Sequence, residues 1–280
     1  MLAALALGLA LVPQAQAETA LVEQDITFSS GELTLHGTVI APATGGRHPA
    51  VVMVHGSGRV SRDGYRPEAE SFARAGIATL VYDKRPKRSK SDVDFDLLAD
   101  DALAALRALK AHPAVDPART GLWGVSEGGW VAPIAAARST DVAFVVTVGA
   151  PGVAPERQQS WNLVNRLTAA GVSGSLVDTV SRTTLGLLVG AGQFPESGYD
   201  PAPVLARVTQ PVLGLWGDLD RVIPGRRACA CSRSRSTGAA TTATRCSPCP
   251  ARTTRCAGHR TASSAATRSP RPTWSRSRPG

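Results

Sequence analysis

Apolar residues fall into short blocks separated by polar, glycine-rich turns, and the blocks switch between strand-like and helix-like spacing. Thr27 to Ile40 alternates on either side of Ser29-Ser30-Gly31, which predicts two short antiparallel strands joined by a turn. Ala50 to Val54 is an unbroken apolar run ending in His55-Gly56-Ser57-Gly58. It predicts a strand covered on both faces, followed by a glycine-rich loop. Glu68 to Ala75 has helical spacing and stops at Gly76, and Ala78 to Tyr82 is a second buried strand. Leu97 to Leu109 predicts a helix that ends before Pro113. Thr120 to Gly124 reads as a strand, Gly129 to Ala137 as a helix, and Val142 to Val148 as another strand. Pro, Gly and Ser then break the rhythm over 152–205, until Pro211 to Trp216 resumes it and ends at Gly217-Asp218-Leu219-Asp220.

Strands that alternate with helices at this spacing predict a doubly wound, mostly parallel α/β sheet, because parallel neighbours need a crossover. An insertion after the Val142–Val148 strand would sit over the strand ends, so 152–205 is expected to be cap-like. No internal repeat is visible.

Composition changes this picture only at the two ends of the chain. The 280 residues carry a net charge of +9, which taken whole suggests a nucleic-acid or membrane binder. Residues 226–280 hold 12 Arg, no Lys and no acidic side chain, so residues 1–225 are net negative, at −3. All five cysteines (Cys229, Cys231, Cys246, Cys249, Cys256) lie in that same tail. Met1 to Val12 is apolar and is followed by Pro13 and by Ala15-Gln16-Ala17. This fits a signal peptide over 1–17, although no Lys or Arg precedes the run, and it predicts a periplasmic or secreted protein. A misassigned start codon or a buried helix would produce the same letters. Twelve apolar residues are too few to span a bilayer, so no stable membrane insertion is expected.

Candidate chemistry centres on Gly124-Val125-Ser126-Glu127-Gly128, between a predicted strand and a predicted helix. A sharp strand-to-helix turn strains the serine backbone, demands small residues two positions to either side, and lifts the hydroxyl above the sheet. Ser126 is therefore the candidate nucleophile; a packing turn with an incidental serine is the bland alternative. The backbone N–H groups of Glu127 and Ser57 are the candidate oxyanion hole. A plain glycine turn joining a strand to a helix is the lesser alternative for His55-Gly56-Ser57-Gly58, and His55 itself would be structural. Asp218 and Asp220 both follow a buried strand. Asp220, with Val222-Ile223-Pro224 closing the loop behind it, is the preferred acid over Asp218, and a surface acid pair is the alternative.

With those residues in place the chain resembles the α/β-hydrolase superfamily, in particular exported esterase-like members related to dienelactone hydrolases and serine aminopeptidases. The resemblance runs over about residues 22–225. It is carried by Tyr82-Asp83-Lys84-Arg85, by Gly121 through Trp130, and by Leu215-Trp216-Gly217-Asp218-Leu219-Asp220. It departs at Pro86-Lys87-Arg88-Ser89, where the family has a Gly-x-Gly-x-Ser turn; that basic run reads as a solvated loop. The resemblance implies an α/β-hydrolase fold, a serine hydrolase acting on carboxylic esters through an acyl-enzyme, a small-molecule acyl substrate, and no metal or organic cofactor. Thioesters and short peptides are the next substrate classes. It does not indicate an oligomeric state.

In this fold the base follows the acid, about 30 residues on, and only His259 does so. His259 is thus the candidate base, although Cys256-Ala257-Gly258-His259-Arg260 shows no strand pattern leading into it. Residues 226–280 contain no Leu, Ile, Val, Phe, Met or Tyr, which predicts a disordered Arg-rich tail and a fold truncated at its C-terminal end. Shifting the reading frame by one base lets Cys249 to Cys256 encode Pro-Gly-Ala-Asp-His-Ala-Leu, the histidine motif the family would have there. A frame change near Gly225 is the expectation that follows, with loss of the native base and impaired activity. Zinc-like spacing among Cys229, Cys231, Cys246 and Cys249 is an alternative reading of the tail. An Arg-rich nucleic-acid arm on an inactive hydrolase scaffold is another.

Overall fold

The computed structural model describes residues 19–58, 61–86, 94–193, 196, 198–217, 220–223, 243–244 and 254–258. Met1–Ala17, Lys87–Ser89, Asp218 and His259 lie outside the described residues, as do the four tail cysteines other than Cys256.

The chain opens with a hairpin of β1 (Leu21–Ser30) and β2 (Leu33–Pro42), turning at Gly31-Glu32 with Gly31 at φ +61°. Both strands are longer than alternation predicts. Their ladder is made by backbone groups, so Glu23, Gln24 and Asp25 extend β1 while facing solvent. There follow β3 (His48–Val54), α1 (Arg66–Arg74), β4 (Ala78–Tyr82) and α2 (Phe95–Lys110). Next come β5 (Val115–Val125), α3 (Gly128–Arg138) and β6 (Val145–Val148). Helix α2 starts two residues before its apolar pattern does, because the Asp94 carboxylate accepts from the N–H groups of Asp96 and Leu97.

The sheet runs β1-β2-β4-β3-β5-β6 and continues with β7 (Val212–Trp216). Strands β3 to β7 run parallel to one another, and β2 joins β4 antiparallel. Successive side chains of one strand feed opposite faces. Val52 and Val54 point into the core under α2 and α3, where Leu98, Leu106, Val131 and Ile134 are buried. Val51 and Met53 join Ala69 and Ala73 of α1 on the other face. An unbroken apolar run is what a strand buried between two helical layers requires, and the doubly wound expectation is met.

Residues 152–205, where Pro, Gly and Ser break the strand–helix rhythm of the sequence, contain two full helices, α4 (Pro155–Ala169) and α5 (Gly174–Gly190), and a short third, α6 (Ala202–Leu205). In the region expected to lack ordered structure, Thr254–Gly258 forms a strand, β9, parallel to β7, and Ala243–Thr244 forms β8, antiparallel to β9. A parallel ladder is held by peptide groups, so Thr254–Gly258 can join β7 without the apolar letters a strand pattern needs.

Register fixes which residues meet at the carboxyl edge. Val125 pairs with Val148 and Val148 with Leu215. Ser126, Gly149 and Trp216 therefore leave three adjacent strands at one level, and Gly258 of β9 pairs with Trp216.

Candidate active site

Ser126 stands at the turn between β5 and α3 with φ +51°, the one described non-glycine residue in the left-handed region. That conformation is unfavourable for a residue with a Cβ and persists only where its surroundings impose it. Here the Ser126 N–H donates to Val148 O at 2.9 Å and the Gly129 N–H returns to Ser126 O at 2.8 Å. The flanking glycines are required by close approach. A Cβ on Gly124 would lie 2.3 Å from Gly128 O, and one on Gly128 would lie 2.5 Å from Val54 O. The strand and helix are thus pressed together at the serine, as the spacing in Gly124-Val125-Ser126-Glu127-Gly128 predicts.

The loop after β3 closes over the same point. A Cβ placed on Gly56 would lie 3.6 Å from the Ser126 Cβ, so the peptide leading to Ser57 passes beside the serine. The Gly56 N–H donates to Tyr65 Oη at 3.1 Å, and Ser57 is exposed. Burial, and then the nearby Lys84 charge, push the His55 pKa down to about 4, against the opposing pull of a hydrogen bond with the Tyr82 backbone. His55 is therefore neutral near pH 7, packed against the Tyr65 and Tyr82 rings.

Beneath the loop lies an ion pair that sequence reasoning did not single out. Lys84 Nζ is 2.5 Å from Glu127 Oε1 and donates to Gly56 O at 2.6 Å, with the two side chains 4% and 8% exposed. Its neighbours are held as well: Arg62, from the stretch after β3, donates through Nε to Asp83, and Arg85 grips buried Asp101 of α2 with two bonds of 2.6 Å. The signal was present as Tyr82-Asp83-Lys84-Arg85, but only as a likeness; nothing in the local letters says that Lys84 turns inward.

Asp220 follows β7. Its Oδ1 accepts from the N–H groups of Val222 and Ile223 at 2.8 and 2.9 Å. Oδ2 faces the end of β6, 3.8 Å from where a Cβ of Gly149 would stand. Helix α4 holds this loop from above, Gln158 Nε2 donating to Val222 O and Asn165 Nδ2 to Arg221 O, each at 2.9 Å. Gln158 and Asn165 were likewise invisible in the sequence.

The structure thus gathers Ser126, Glu127, the Gly56-Ser57 peptide and Asp220 at one edge of the sheet. His36 on β2, His48 at the start of β3 and His112 after α2 lie elsewhere. The His48 ring meets Thr44 O and the His112 ring meets Gln24. Among the described residues, no group of three or more His, Cys, Asp or Glu side chains could hold a metal ion. No described helix is long and apolar enough to cross a membrane.

No protein-family model matches the chain. It is similar to the esterase EstD of Thermotoga maritima, 28% identical over 222 residues, which cover 71% of this chain and 52% of that protein. It is 33% identical to the thiohydrolase aneE of Aspergillus aculeatus over 105 residues, covering 36% of this chain and 33% of that one. The chain spans between about a third and three fifths of the length of the curated relatives it matches. Among solved structures it superposes on the α/β hydrolase GrgF from a Penicillium species, with a TM-score of 0.53 and 21% identity, covering 73% of this chain and 82% of that one. Sharing that architecture over nearly three quarters of its length, the chain has the α/β-hydrolase fold.

Proposed function

We propose that this protein is a serine hydrolase that cleaves carboxylic esters through an acyl-enzyme. The observation that carries the reading is Ser126 in a left-handed conformation at the β5–α3 turn, with the start of α3 and the Gly56-Ser57 peptide on either side. In this reading the Ser126 oxygen attacks the ester carbonyl carbon, and the carbonyl oxygen takes up the electron pair. The N–H groups of Ser57 and Glu127 hold that oxyanion. A histidine accepts the serine proton and passes it to the departing alcohol. Water then repeats the sequence on the acyl-enzyme, releasing the acid and restoring Ser126. Asp220 orients the histidine.

His259 is the proposed base for the chain as written. In sequence it follows directly on Gly258, the last residue of β9. The composition of 226–280 supports a second reading, in which a frame change near Gly225 has removed the original histidine. The likeness to EstD favours a carboxylic ester; the likeness to a thiohydrolase keeps thioesters as the next class. Export to the periplasm or the medium, directed by residues 1–17, is part of the proposal and is checked by fractionation.

The test is hydrolysis of p-nitrophenyl esters by the full chain, by Ser126→Ala, by His259→Gln and by a frame-corrected chain. Ester turnover abolished by Ser126→Ala is expected, and turnover that survives it defeats the nucleophile. Loss on His259→Gln supports that base. A chain idle as written but active when frame-corrected supports the second reading. If both forms are idle while residues 226–280 bind nucleic acid in a salt-sensitive way, the protein is a binding module rather than an enzyme.

A further inference from the structure

The buried Lys84 is not one of the groups that the proposed acyl transfer uses, yet it joins the two elements that would supply the oxyanion hole. It stands two residues past the end of β4, and β4, β3 and β5 are adjacent in the sheet. From there its ammonium reaches the carbonyl of Gly56, at the end of β3, and the carboxylate of Glu127, at the end of β5.

We propose that Lys84 is a positioning residue that aims both backbone donors of the oxyanion hole through one buried ammonium. This rests on the serine-hydrolase reading above. The Gly56 carbonyl and the Ser57 N–H are the two ends of one peptide unit, which is planar, with C=O and N–H pointing in opposite directions. A 2.6 Å bond on the Gly56 oxygen therefore sets the direction of the Ser57 N–H, and a positive charge on that oxygen makes the N–H a stronger donor. The other donor is the N–H of Glu127, whose own side chain is held by the same ammonium. Stability alone does not call for such a pair, since apolar residues of similar volume in place of a buried ion pair are often no less stable. A donor that is aimed before charge develops, by contrast, contributes directly to the rate.

The experiment compares wild type with Lys84→Met/Glu127→Leu, which removes both charges together, so that neither is left buried without the other, and withdraws the donor from the Gly56 oxygen. Three quantities are read: Tm, kcat and KM on p-nitrophenyl butyrate, and affinity for an aryl trifluoromethyl ketone followed by fluorine NMR. The ketone forms a tetrahedral oxyanion on the serine, so its binding needs no turnover. Expected are a Tm close to wild type, a kcat lower by about a hundredfold with KM little changed, and ketone affinity lower by a similar factor. A purely structural role would move Tm and leave the ketone affinity of the folded protein alone. Unchanged kcat and ketone affinity in the folded double variant overturn the proposal. If that variant does not fold, Lys84→Arg, which keeps the charge but displaces the donors, is measured in the same way, and wild-type ketone affinity there is equally fatal. Ser126→Ala separates the two levels. Turnover that survives it defeats the serine reading, whereas loss on Ser126→Ala beside an unaffected Lys84 variant defeats only this inference.

Discussion

Changing Gly128 to Ala tests the central geometric statement, that strand and helix are pressed together at the serine. A Cβ there would lie 2.5 Å from Val54 O and 2.9 Å from His55 O, both backbone atoms at the end of β3. Ordinary contact begins at 3.4 Å, so the first turn of α3 must retreat from β3 by about 0.9 Å. The Glu127 N–H moves with α3, while the Ser57 N–H stays with β3, and the proposed oxyanion hole opens by that amount. A misplacement of about 1 Å in a catalytic constellation lowers the rate by about a hundredfold. Overpacking of this kind costs about 1–3 kcal/mol, and a fall in Tm of about 2–10 °C is expected for a protein of this size. The assays are kcat on a p-nitrophenyl ester and Tm from circular dichroism. The same chemical change at Gly186, in α5, meets open space and replaces a poor helix former, so it should raise Tm by a few degrees. A Gly128→Ala protein that keeps both its kcat and its Tm would refute the reasoning.

Three further outcomes are expected. Ser126→Gly removes the left-handed strain and should stabilise the fold by about 1 kcal/mol, seen as a raised urea midpoint, while abolishing hydrolysis; a lowered midpoint contradicts the strain argument. Arg85→Met leaves the Asp101 carboxylate buried without its bidentate partner and should cost about 3 kcal/mol in urea unfolding. Arg85→Met with Asp101→Leu should recover most of that loss, and failure to recover argues against the ion pair as the cause. The folded value of His55, about 4, lies below the unfolded 6.5, so between those pH values the unfolded chain takes up a proton that the folded chain refuses. That stability is complete above pH 6.5 and is lost as pH falls toward 4, by about 3 kcal/mol in all. His55→Gln should flatten the pH dependence of urea unfolding over this window, and an unchanged slope excludes His55 as its source.

The parts of this fold legible in the sequence are those where one physical demand acts on consecutive residues. Val51 to Val54 must be apolar throughout because α1 covers one face and α2 and α3 the other. The serine turn is legible for a similar reason, since Gly124 answers a contact with Gly128 only four residues on, across Ser126. Interactions that join distant stretches leave no such period. Lys84 meets Gly56 and Glu127 from 28 and 43 positions away, and Gln158 meets Val222 from 64. Each side chain alone reads as an ordinary surface residue. The full length of β1 was hidden because Glu23, Gln24 and Asp25 take part only through their backbone, and Thr254–Gly258 joins β7 in the same manner.

Helix α4 grips the carbonyls of Arg221 and Val222, and Asp220 accepts from the N–H groups of Val222 and Ile223 in the same short loop. Helix α4 and the loop that carries the proposed acid are therefore held as one mechanical unit. If the chain is the serine hydrolase proposed above, substrate range and turnover are inherited together. Any exchange of 155–190 for a relative's insertion that loses Gln158 and Asn165 also releases the loop that aims Asp220. A library built to broaden substrate choice should keep those two amides fixed and vary the faces of α4 and α5 that point away from them.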